Sequence, residues 1–198
     1  MSLHLPHPLA TTLSTLFSLI LLFAFYIYQL PSTLNFSTPH PHHSTNDIPG
    51  LSFTLAQTST SPLTLLVALQ NTHPSITYTL LKWATPIDTS ALDTGVFTIT
   101  APDGTKIQQV IRKITRKMPP PPSQIVTLRP GMNVTREVLF DVSDMARPGK
   151  YKVQTKGMWK GGWAKERADV TTEDLWAFAG SEFSGWRFGT EMVDVVVD

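Results

Sequence analysis

From Leu63 onward, apolar side chains recur at every second position. Leu63, Leu65, Val67 and Leu69 share one parity and end at a polar corner, Asn71-Thr72-His73-Pro74-Ser75. Ile76, Tyr78 and Leu80 restart the alternation, with Leu81 and Trp83 on the other parity. After a break at Pro86 and Asp88, Val96 to Ala101 forms a third run rich in β-branched residues. A two-residue period with turn residues at each break predicts antiparallel strands, one face buried and one wet.

The same pattern extends both ways. Leu51, Phe53 and Leu55 mark a first strand, and the folded domain is expected to begin near Ile48. Ala101-Pro102-Asp103-Gly104-Thr105 is a turn, because proline pre-sets φ, aspartate bonds its own backbone and glycine accepts positive φ. It should lead into a strand through Ile107, continued by a basic, weakly alternating segment from Ile111 to Lys117. Pro119 to Pro122 lack backbone donors and have φ fixed by their rings, which predicts an exposed polyproline II crossover. Ile125 to Leu128 forms a short strand. Val134, Val138, Phe140 and Val142 then share a parity, and Pro148-Gly149 turns into Tyr151, Val153 and Thr155 with Lys150, Lys152 and Lys156 outward. These last two runs are expected to pair as a hairpin. Thr171 and Asp174 have capping-box spacing, with Gly180 placed to close a short helix of about two turns. Val193, Val195 and Val197 give a closing strand. The sum is an all-β fold: an immunoglobulin-like antiparallel β-sandwich with one short helix and Greek-key style connections.

The first part of the chain is different. Residues 1–8 form a flank, and residues 9–30 carry no charge at all. About twenty apolar residues of helix span a bilayer, and Tyr26 and Tyr28 suit its interface. The segment is expected to be a transmembrane signal-anchor. A cleaved signal peptide is the alternative, disfavoured because bulky Phe25, Tyr26, Ile27 and Tyr28 follow Ala24. Residues 31–47, dense in Ser, Thr, Pro and His, read as a flexible stalk that buries too little apolar surface to order. Its run Pro39-His40-Pro41-His42-His43 is read as a solvated spacer rather than a metal site, since ligands must be fixed in geometry. The domain then occupies residues 48–198.

Charge sharpens this division. Of 198 residues, 16 are Lys or Arg, none before Lys82, and the formal net charge is +1. So small a net charge argues against broad nucleic-acid binding. With 0 cysteines, disulfides, thiolate metal sites and cysteine nucleophiles are excluded. No HExxH zinc motif and no G-x-S-x-G elbow occur, and His73 sits in a turn beside a proline. No catalytic residue and no cofactor is assigned. Two features bear on contacts. Arg112, Lys113, Arg116 and Lys117 form a basic run that faces solvent or an acidic partner. Trp159 and Trp163 flank the MWKGGW loop and, with Trp176 and Trp186, either seal the sandwich or stack on sugar rings. Asn35-Phe36-Ser37 and Asn133-Val134-Thr135 fit the N-glycosylation sequon, which favours a domain on the lumenal or extracellular side.

The stretches NTHPSITYTLLKWATPID (Asn71 to Asp88), GVFTIT, RKMPPPP and GKYKVQTKGMWKGGW together resemble the N-terminal, prodomain-like β-sandwich of fungal deuterolysin and peptidyl-Lys metalloendopeptidase precursors. The resemblance covers Leu51 to Val197. It implies a sandwich that assists folding of a protease or holds it inactive, here without the zinc-binding protease domain. Gly189-Thr190 with Asp194 echoes a GT-x-D motif at the wrong spacing, so no metal ligand is carried over. The expected function is a non-enzymatic, membrane-anchored or secreted protein-interaction module whose partner is a secreted protease or another protein. Its alternative is a cell-wall glycan-binding module using exposed tryptophans.

Overall fold

The computed structural model describes residues 47–140, 145 and 147–198. The apolar segment 9–30, the stalk up to residue 46 and Asn35 lie outside them. No helix among the described residues is long and apolar enough to cross a membrane.

In chain order the strands are β1 (Leu51–Thr60), β2 (Leu63–Asn71), β3 (Tyr78–Leu81), β4 (Phe97–Thr100), β5 (Ile125–Leu128), β6 (Asn133–Leu139), β7 (Gly149–Met158), β8 (Gly162–Trp163), β9 (Arg187–Gly189) and β10 (Val193–Val197). A helix, α1 (Thr172–Trp176), lies between β8 and β9. One sheet has the order β1-β2-β6; a second runs β10-β7-β4, with β9 paired to the far end of β7; a small third runs β5-β3-β8. All ladders between these strands are antiparallel.

The alternation read from the sequence is the alternation of burial. Leu65, Val67 and Leu69 of β2 are fully sealed, while Thr64, Leu66 and Ala68 are half-buried. Phe53, Leu55, Val67 and Val138 from the first sheet meet Phe97, Ile99, Tyr151, Val153 and Val195 from the second in one core cluster. Each such side chain contributes about 1.5–3 kcal/mol by leaving water. With no disulfide to tie the layers, aromatic packing does so. Phe53 stacks on Trp159 at 5.6 Å between ring centres, and Phe188 meets both rings edge-on at 5.4 and 5.3 Å. Gly157 makes this possible, because a Cβ there would fall 2.6 Å from the Phe188 ring.

The first and second sheets also touch along one edge. The Gln57 side chain lies along the backbone of Val196, donating from Nε2 to its carbonyl at 2.5 Å and accepting its amide at 2.9 Å. A side-chain amide thus supplies the rungs that a neighbouring strand would supply.

Three expectations change. The runs at β6 and β7 do not form a hairpin: β6 pairs with β2, and β7 pairs with β4, β9 and β10. Each has a single buried parity, which fixes the face it turns inward but not the sheet it joins. The strand expected through Ile107 shrinks to an isolated bridge between Thr100 and Lys106 and one hydrogen bond from the Ile107 amide to Ile99. The proline run is not fully exposed either. Pro120 is buried and Pro122 opens a short 3-10 turn, Pro122–Gln124. The capping box forms as spaced: the Asp174 amide donates to Thr171 Oγ1 at 3.1 Å and the Thr171 amide donates to Asp174 Oδ2 at 3.0 Å. Helix α1 itself is only 5 residues long and passes into a 3-10 turn, Phe178–Gly180.

Candidate functional site

The chain leaves β3 through Lys82-Trp83-Ala84-Thr85-Pro86-Ile87-Asp88, and the last of these residues organises the loop. Asp88 is fully buried. Its carboxylate accepts the amides of Ala84 at 2.9 Å and Ser90 at 3.1 Å. The first bond holds Ala84 at φ 54°, a left-handed conformation that costs a residue with a Cβ about 1–2 kcal/mol. Arg116 completes the shell with a two-pronged pair, Nη1 to Oδ1 at 3.2 Å and Nη2 to Oδ2. A carboxylate sealed from water needs such partners, because its desolvation otherwise costs several kcal/mol.

Arg116 also lies over the Trp83 ring, 5.6 Å from its centre, and Trp83 meets Phe178 edge-to-face at 5.4 Å. Beside them runs an open groove of about 550 Å³, lined among others by Trp83, Ile114, Arg116, Met118, Lys160 and Phe178. Its floor is aromatic and aliphatic. Arg116 is neutralised by Asp88, so Lys160, which is exposed, carries the outward charge. On the other side of the same loop, Arg136 Nη2 donates to the Thr89 carbonyl at 3.2 Å. Burial pulls this guanidinium below its ordinary pKa, and the Asp88 charge pushes back.

Arg116 anchors one end of an arm that leaves the sheet after Ile107. Among the described residues, the amides from Ile107 to Met118 donate only two backbone–backbone hydrogen bonds, Ile107 to Ile99 and Arg112 to Asp93 at 2.8 Å. Val110 and Ile111 stand 79% and 71% exposed. Arg112 makes a loose pair with Asp93 at 3.5 Å, and Lys113 and Lys117 are exposed with no salt bridge among the described residues. The basic run is therefore split: Arg112, Lys113 and Lys117 face water, whereas Arg116 turns inward.

The tryptophans expected at the contact surface are core residues. Trp159 is 2% exposed and Trp163 4%, because the aromatic cluster takes the first and Val170 and Leu175 pack on the second. Trp186 is half-buried against Phe183, so Trp176, at 56%, is the one tryptophan of the four left well exposed. No two of them make a flat exposed platform. His73 is a turn residue, its Nδ1 accepting the amides of Ser75 and Ile76. Among the described residues, no group of three His, Cys, Asp or Glu side chains is placed to hold a metal ion. Asn133 is exposed at the start of β6. The loop carboxylate and the Trp83–Phe178 floor went unassigned in the sequence. Their signal was Trp83-Ala84-Thr85-Pro86-Ile87-Asp88, where an aspartate follows a proline turn and can reach back to the backbone.

The entry into β7 is pinned by a tyrosine near its start. Tyr151 donates its hydroxyl to the Arg147 carbonyl four residues upstream at 2.9 Å, a corner device of immunoglobulin-like sandwiches. Fold and surface define an immunoglobulin-like β-sandwich that presents an apolar and basic face. The chain belongs to the family of immunoglobulin-like domains, whose model matches residues 50–197. It is similar to an uncharacterized secreted protein of Arthroderma benhamiae, with 28% identity over 140 residues, covering 69% of this chain and 70% of that protein.

Proposed function

We propose that this chain is a non-enzymatic protein-interaction module of the secretory pathway, membrane-anchored or secreted, and a stand-alone relative of a protease prodomain. The arm from Gln108 to Lys117 is its contact face. The observation that carries this reading is the pair Val110 and Ile111, held out in water next to Arg112 and Lys113. Adjacent large apolar side chains on an irregular, sparsely bonded segment suit strand addition by a partner. The neighbouring cations select an acidic one. Support for the compartment comes from the uncharged run 9–30 and from a relative described as secreted.

The test is a binding and inhibition titration of the purified domain against a deuterolysin-type metalloendopeptidase. Binding at micromolar concentration or below, weakened by salt and abolished in Val110→Asp/Ile111→Asp, is the expected result. Absence of both binding and inhibition at micromolar levels overturns the prodomain-like reading. Binding that survives the double substitution moves the contact face elsewhere. The variant should fold, since surface changes typically alter stability by no more than about 0.5 kcal/mol.

A further inference from the structure

We propose that Asn133 carries an N-linked glycan that shields the free edge of the first sheet; the inference rests on the secretory reading above. The sequon Asn133-Val134-Thr135 opens β6. In a strand, residues two apart share a face. Asn133 and Thr135 are accordingly both exposed, while Val134 between them is half-buried and packs on the core. The acceptor amide and the hydroxyl that the transferase reads thus point to solvent together, and modification displaces nothing packed. The sequon also follows directly on a turn, with the Met132 amide bonded to Arg129 and Gly131 at φ 76°.

The position has a consequence for assembly. Among the described residues β6 pairs only with β2, so its other side is a sheet edge. Met132 precedes the strand and Leu139 ends it, and both are about half exposed. Glu137 is the one exposed charge along β6 itself. An edge with apolar ends and so little charge is a template for pairing with another chain. A glycan rooted at its first residue is bulky and strongly hydrated, and blocks that approach.

The experiment expresses the full chain in a yeast secretory host and maps the peptide containing Asn133 by mass spectrometry, before and after enzymatic deglycosylation. Thr135→Ser keeps the sequon, while Asn133→Gln and Thr135→Ala remove it. Expected are a glycopeptide at Asn133 in wild type and Thr135→Ser, none in the other two, and at least a several-fold greater self-association of the bare forms by sedimentation velocity. Native protein deglycosylated after folding supplies the bare form even where a variant folds poorly. Secreted protein with an unmodified Asn133 overturns the site. A modified Asn133 whose removal leaves the protein equally monomeric overturns the shielding. Retention in the cytosol with both sequons bare overturns the secretory reading itself, and this inference with it.

Discussion

Asp88 and Arg116 lie 28 residues apart in sequence and meet as a two-pronged ion pair, with the carboxylate sealed from solvent. The pair ties the arm after β4, the proposed contact face, to the loop after β3. Removing one partner of a buried pair leaves the other uncompensated, at a cost of about 3–5 kcal/mol. Asp88→Ala should lose about that much stability in urea denaturation. Arg116→Met leaves the fully sealed carboxylate with two backbone amides and no cation, so it should cost at least as much. The amides of the arm should exchange faster in both. A double-mutant cycle with non-zero coupling checks the pairing, and additive effects would refute it.

Trp159 and Trp176 make a contrasting pair. The first fills the aromatic cluster with Phe53 and Phe188, so Trp159→Ala should cost about 3–5 kcal/mol in thermal or chemical unfolding. Trp176 stands largely in water, and Trp176→Ala should change stability by no more than about 0.5 kcal/mol. Equal losses at the two positions would contradict the burial described here.

Gly157 faces the same cluster from β7. A methyl group there would meet Phe188 Cζ at 2.6 Å, and the ring is hemmed in by Phe53 and Trp159. Gly157→Ala should therefore destabilise by about 1–3 kcal/mol through overpacking. Recovery in Gly157→Ala/Phe188→Leu, which makes room for the methyl, would identify the clash as the cause.

The Gln57 clasp is testable by itself. Gln57→Ala should cost about 1 kcal/mol for its hydrogen bonds. The Val196 amide, protected by the glutamine oxygen, should lose its slow hydrogen exchange. Unchanged exchange at Val196 would show that the two edges are held by other contacts.

Two partly exposed carboxylates set an acid response. Hydrogen bonding to Arg129 holds Glu166 below its usual pKa, and the Thr171 backbone amide does the same for Asp174. A carboxylate depressed in the folded state stabilises the fold at pH values above its unfolded pKa. That contribution fades as pH falls through the folded-state value. Carbon-detected NMR titration should place both midpoints below the ordinary Glu and Asp range. Arg129→Met should return Glu166 towards the ordinary range and leave Asp174 unmoved.

Legibility in the sequence followed periodicity. The strands around Leu65, Ile99, Val153 and Val195 announced themselves because one face is buried and the period is two. The capping box was readable because Thr171 and Asp174 bond within one turn of chain. What escaped were relationships across long separations. Nothing local distinguishes a β6 that pairs with β7 from one that pairs with β2. Arg116 looked like its basic neighbours, because only the folded loop brings Asp88 to it. The tryptophans were ambiguous for a related reason: burial of Trp159 depends on Phe53, more than one hundred positions away.

The clasp at Gln57 also dictates an order of events. Its partner is Val196, 139 positions later. On a growing polypeptide, β1 emerges long before the backbone it must grip, and that flank of the first layer stays open until β10 has been made. Contacts of such high sequence separation slow folding. Closure of this domain therefore waits on β10, and a nascent chain stalled before that strand would present an unguarded ribbon to any chaperone within reach.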